Sequence, residues 1–201
     1  MSYIGMLYPV AAPIDTETSG SAIAYGTGMV IGPAVAANLN LEVNDNPDYG
    51  DDIIIDNDNG VNGYNGTLET NNITADGRAT LLGWSAISSG TPSAVTHYEV
   101  GDGQAPYVGW GFIRVKMFKG VKSWEAFWFH KAQFSPSAIN AGTKQKSIEW
   151  NHPSLNVTGM GVYLDSTGVA KYFDWMEFSS LASAKTWLFG KANYTEPSVT
   201  T

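Results

Sequence analysis

The residues of this chain that could do chemistry are few and scattered. Its three histidines, His97, His130 and His152, stand far apart, and it contains no cysteine. Disulfides, thiolate nucleophiles and cysteine-held metals are therefore excluded, and the histidines lack metal-ligand spacing. The run Asp56-Asn57-Asp58-Asn59-Gly60 has the composition of a calcium loop. Such a loop needs alternating oxygen ligands, Gly at position 6 and a bidentate Glu at position 12. Counted from Asp56, glycine falls at position 5 and Thr67 at position 12. Turn chemistry explains that run more simply. Glu125 and Glu149 lie among tryptophans and invite comparison with a glycosidase carboxylate pair. Glu125 has a closer partner in Arg114, and nothing in the sequence brings Glu149 to it. No nucleotide-binding Gly-Lys-Ser/Thr loop, Gly-x-Ser-x-Gly elbow or His-Glu-x-x-His occurs. The Asn-x-Thr triplets at Asn65, Asn72, Asn156 and Asn193 mean little without a secretion signal. No catalytic, cofactor or metal residue is assigned, and the chain is expected not to be an enzyme.

Charge is more informative than motif. The net charge of −8 argues against wrapping nucleic acid, whose phosphates need a positive surface. Glu42, Asp45, Asp48, Asp51, Asp52, Asp56 and Asp58 form an acidic stretch with no Lys or Arg among them. Between Arg114 and Lys146 lie seven basic residues against one acid, Glu125. Either these are solvated faces, or one copy's acidic segment meets another copy's basic segment; separated opposite charges can set orientation in self-assembly.

The elements that would carry these residues read as short strands. The 201 residues suit a single domain spanning 1–201, and the many Gly, Asn, Thr and aromatic residues favour strands and turns. The start lacks basic residues and a long apolar stretch, so it is a poor signal peptide. No apolar run approaches the ~20 residues of a membrane span, and no membrane partner is expected. Residues 28–43 alternate apolar and polar positions, with a phase change at Gly32-Pro33 that predicts a bulge or bend. Residues 44–65 form a long acidic loop enclosing Ile53-Ile54-Ile55; loops this long are often interfacial. Asp51, Asp52, Ile53, Ile54, Ile55, Asp56 and Asp58 are candidate self-association residues. Thr74 is positioned to cap a short helix that Gly83 ends, and 85–93 reads as loop. A strand is expected at 147–158, and a second hairpin around Asp165-Ser-Thr-Gly168. Ser179 or Ser180 would cap a last helix with Leu181, Ala184, Trp187 and Leu188 inward and Gly190 at its end. Residues 191–201 read as a C-terminal arm.

The strongest local prediction is a hairpin over residues 107–134, turning at Lys119-Gly120. Pairing outward from Phe118 and Val121 sets Arg114 opposite Glu125, Val115 opposite Trp124, Ile113 opposite Ala126 and Gly111 opposite Trp128. One face is then apolar throughout, except for Lys122. The other is polar near the turn and carries Trp110, Phe112, Phe127 and Phe129 farther away. Four uncovered aromatics are too large a patch for a stable monomer surface. Either a helix of the same domain or a neighbouring subunit must cover them, and all four are candidate self-association residues.

Several blocks are familiar in this order: Tyr25-Gly-Thr-Gly-Met-Val-Ile-Gly32, Ala105-Pro-Tyr-Val-Gly-Trp-Gly-Phe-Ile-Arg114, the Lys119-Gly120 hairpin through Phe134-Ser-Pro136, Lys146-Ser-Ile-Glu149, and Ala184-Lys-Thr-Trp-Leu-Phe-Gly-Lys191. Together they resemble the major tail proteins of long-tailed bacteriophages and of prophages of Gram-positive bacteria. The resemblance covers most of the chain, and the block from Ala105 to Arg114 is its most specific part. It implies a β-sandwich or small barrel with one or two short flanking helices. It further implies a structural virion protein that assembles into stacked, hexameric rings, forming a tube that conducts DNA into the host. The implied partners are further copies of itself, and tape measure, distal tail and tail terminator proteins. DNA would pass without specific binding. The long loop and terminal arms would bridge rings, assembly would take place in the host cytoplasm, and no additional C-terminal immunoglobulin-like domain is expected. Two rival readings are a carbohydrate-binding β-sandwich, from the seven tryptophans, and a carboxylate hydrolase using Glu125 or Glu149.

Overall fold

The computed structural model describes residues 2–88, 96–101, 103–137 and 151–197. The chain forms thirteen strands and two helices in these residues. The first half contains β1 (Ser2–Thr16), β2 (Ala24–Tyr25), β3 (Met29–Val30), β4 (Ala34–Val43), β5 (Asn46–Gly50), β6 (Ile53–Asp58), β7 (Val61–Thr70) and α1 (Ala75–Leu82). The second contains β8 (Ser85–Ser88), β9 (Thr96–Glu99), β10 (Tyr107–Phe118), β11 (Val121–Pro136), β12 (Ser154–Gly159), β13 (Phe173–Phe178) and α2 (Leu181–Lys191). The mainly-β class with minor helices is as expected.

Nine strands make one antiparallel sheet, ordered β2-β1-β10-β11-β12-β7-β4, with β13 added to β11 and β3 to β1. The long β10–β11 hairpin is its spine. Its register is the one the sequence predicts: Arg114 opposite Glu125, Val115 opposite Trp124, Ile113 opposite Ala126 and Gly111 opposite Trp128. Lys119 and Gly120 turn with φ of 48° and 81°, the doubly left-handed geometry of a type I′ turn, which matches the strand twist. The far edge of β11 is divided, with residues 124–129 pairing β13 and residues 132–136 pairing β12. β1 and β4 lie near opposite ends of the strand order yet come into contact, so the sheet curls.

Two cores result, one on each face of the spine. On one face Ile113, Ala126 and Trp128 pack beneath Ala184, Leu188 and Phe189 of α2. Ser180 caps that helix, its Oγ accepting from Ser183 N–H at 3.1 Å. On the other face Trp110, Phe112 and Phe129 pack against Tyr64 and Leu68 of β7, Leu155 and Val157 of β12, and Leu81 and Leu82 of α1. Thr74 caps α1 by accepting from Gly77 N–H at 3.0 Å, and Gly83 ends it at φ 69°.

Several expectations are corrected. Residues 44–65 are not a loop but the β5–β6 hairpin followed by the start of β7. Residues 85–88 are a strand. The second hairpin reduces to a single bridge between Val162 and Lys171, while β13 pairs with β11 instead. Gly190 lies inside α2, which runs through Lys191. The start of the expected C-terminal arm is docked: Tyr194 packs edge-on to Phe189 and Lys185 pairs with Glu196 at 2.5 Å. Glu149 and residues 147–150 and 198–201 lie outside the described residues.

Candidate self-association surfaces

Where β11 pairs with β13, the sheet narrows to a four-stranded blade formed by the N-terminal part of β1 with β10, β11 and β13. Beneath it, α2 covers one face. The opposite face carries a ladder of charge. Glu125, 2% exposed, accepts from Arg114 Nε at 2.9 Å and lies 3.4 Å from Lys116 Nζ. Lys116 also donates to Glu177 at 2.9 Å, and Ser123 Oγ donates to the same carboxylate at 2.7 Å. These donors hold the Glu177 carboxyl below its ordinary range, with Ser123 the larger influence, while Glu177 raises the Lys116 ammonium. Two cations balance two carboxylates, so the ladder has no net charge. Arg114 also lies 3.8 Å above the Tyr3 ring.

Both lateral edges of the blade lack a strand partner among the described residues. On one side, residues 2–7 of β1 pair only with β10. On the other, β13 pairs only with β11. Large apolar side chains stand exposed along both: Tyr3 and Ile4 on β1, Trp175 and Met176 on β13. An unpaired edge with exposed apolar residues is a template for another strand.

The second surface is the β5–β6 hairpin. Asp51 and Asp52 form its turn at φ 49° and 63°, again the type I′ pattern. Tyr49, Ile53, Ile54 and Ile55 are 58–67% exposed. Leu41, Val43 and Val61, where β4 and β7 lead into the hairpin, are exposed as well. Asp48 lies directly opposite Asp56, a like-charge pairing that weakens a ladder.

The candidate residues thus separate into two groups. Asp51, Asp52, Ile53, Ile54, Ile55, Asp56 and Asp58 come together on one protruding, solvent-facing element. Trp110, Phe112 and Phe129 do not form a surface for a neighbour, because β7, β12 and α1 of the same chain bury them. Of the two covers weighed, a helix of the same domain or a neighbouring subunit, the chain supplies its own, mostly β7 and β12 with Leu81 and Leu82 of α1. Phe127 is half-buried, stacked on Phe112 at 5.4 Å and tilted towards Trp175 at 6.4 Å. Sequence reasoning missed the blade edges. The expected hairpin around Asp165-Ser-Thr-Gly168 drew attention away from residues 173–178, whose partner is β11.

A third cluster joins elements without forming a site. Buried His130 places Nε2 3.3 Å from Asp174, which also pairs with Lys191 of α2. His130 first, and then Lys191, hold the Asp174 carboxyl far below its ordinary range. Among the described residues, no group of three or more potential ligands converges to hold a metal. No helix among the described residues is long and apolar enough to cross a membrane. Trp110 and Trp128 are core residues, and of the described tryptophans only Trp175 is largely exposed.

A scan of the chain against models of protein families finds no match, and a search of curated proteins also finds none.

Proposed function

We propose that this chain is a tail-tube subunit, which assembles through many copies of itself into rings and a hollow tube that conducts DNA. The observation that carries the reading is the blade. It has one face covered by α2, the other bearing a charge-balanced ladder, and two edges that are unpaired among the described residues and carry exposed apolar side chains. Edge-to-edge pairing of such blades around an axis would extend the sheet from copy to copy. The ladder would then face the bore. A surface whose cations are already neutralised offers phosphates little attraction, which suits passage without binding. The two edges differ, so their contact is heterologous, and heterologous contacts close into rings or propagate as filaments. The tape measure, distal tail and tail terminator partners belong to the same reading, as do a virion location and assembly in the host cytoplasm. Negative-stain electron microscopy of the purified chain over a concentration series tests it. Rings or tubes with a central channel are expected; a protein that stays monomeric at every concentration refutes it.

A further inference from the structure

We infer that the acidic β5–β6 hairpin of one copy docks on the lysine-bearing tip of the β10–β11 hairpin of another copy. The inference rests on the self-assembly reading and adds the identity of one contact.

The hairpin is built unlike a free surface element. Among the described residues it packs extensively against no other element. Two strands alone are marginal in water, yet this pair exposes apolar residues instead of burying them. Its carboxylates have no ion-pair partner among the described residues. Asp48 and Asp56 oppose each other across the ladder, a repulsion that a cationic partner would relieve.

The β10–β11 tip has the complementary composition. Phe118 and Val121 flank the turn at 50% and 70% exposure, and Ile4 of the adjoining β1 is also exposed. Lys119 and Lys122 are exposed there, and neither is ion-paired with a described residue. The nearby acids Glu125 and Glu177 are occupied by Arg114 and Lys116. One protrusion is therefore apolar and acidic, the other apolar and basic. Each contact would be small, but repetition along a polymer adds avidity, and the charges would set which surfaces meet.

Charge reversal on each side, followed by mixing, tests the contact. Asp48→Lys/Asp56→Lys reverses the hairpin and spares its turn; Lys119→Glu/Lys122→Glu reverses the tip. Circular dichroism establishes that each variant folds, and light scattering with electron microscopy measures the concentration at which assembly begins. Each variant alone should need at least about ten-fold more protein than wild type. An equimolar mixture should recover most of that loss, because reversed hairpins then meet reversed tips on other copies. If a reversal variant does not fold, the neutral pairs Asp48→Asn/Asp56→Asn and Lys119→Gln/Lys122→Gln replace it. They should show a shift in the same direction and lose the salt dependence of assembly. Wild-type assembly with indifferent variants, or with no recovery on mixing, overturns the docking and leaves the tube reading standing. A wild type that never assembles overturns both.

Discussion

Gly159→Ala tests whether the chain covers its own aromatic face. Gly159 of β12 pairs directly with Tyr64 of β7, and the Tyr64 ring occupies the space beside its bare Cα. A Cβ at this position would fall inside the van der Waals envelope of Cδ1, Cε1 and Cζ of that ring. The ring has little room to yield. Tyr64 is fully buried, is 4.7 Å from the Phe129 ring, and its hydroxyl accepts from Trp110 Nε1 at 3.0 Å. Overpacking of this kind costs about 1–3 kcal/mol. Losing the buried Trp110–Tyr64 hydrogen bond adds about 1–2 kcal/mol. A total of roughly 2–5 kcal/mol corresponds to a fall in Tm of roughly 4–20 °C for a chain of this size. Differential scanning calorimetry measures it. Tyr64→Leu in the Gly159→Ala background should recover part of the overpacking loss, since the clash is with the ring. A Gly159→Ala protein that melts within about 1 °C of wild type would show that Tyr64 does not close this face, and the four aromatics would return as interface candidates.

Burial pushes the Tyr25 hydroxyl up to about 12, and that hydroxyl donates to the His130 carbonyl at 2.8 Å. The folded state therefore favours neutral tyrosine. This contribution, roughly 2–3 kcal/mol, is complete below an unfolded pKa near 10 and is lost as pH rises towards 12; in Tyr25→Phe, urea midpoints should fall less steeply over that window. Asp174 has the opposite sign, because its folded pKa is depressed. Its contribution is present above about pH 4 and is lost as pH falls through the lower folded value. Asp174→Asn should be less stable than wild type at pH 7, with the gap closing in strong acid; a constant gap would refute the link. Phe127→Asp, which breaks the Phe112–Phe127–Trp175 row, should lower the Tm by several degrees and abolish ring formation under electron microscopy.

The readable parts of the fold were those decided by neighbouring residues. Lys119-Gly120 fixed a turn type, the turn fixed a register, and complementary charges at Arg114 and Glu125 agreed with it. The caps at Thr74 and Ser180 are equally local. The β5–β6 hairpin was hidden because aspartate and asparagine are turn formers, and because its turn uses Asp51 and Asp52 at positive φ where glycine is usual. The long β1 was hidden by Pro9 and Pro13. Pro9 falls within the register shift between Leu7 and Val10, beside Tyr8 at φ 51°, so the strand continues past a residue that would otherwise stop it. Which face of the spine is covered, and by what, depends on contacts between residues as distant as Trp110 and Tyr64, beyond the reach of periodicity.

The distribution of charge constrains how copies of this chain can meet. A two-fold dimer presents the same patch to itself. Through the β5–β6 hairpin that would set Asp48, Asp51, Asp52, Asp56 and Asp58 against their own copies; through the β10–β11 tip it would set Lys119 and Lys122 against theirs. Both arrangements repel. Unlike surfaces on two copies attract, and so do the two different blade edges. Both contacts favour head-to-tail association, which either closes by rotation or continues as a filament. Dimers should therefore not accumulate as an end state; mass photometry should pass from monomer to closed or extended species. Raising salt should weaken contacts between charged protrusions and have less effect on strand pairing at the blade edges.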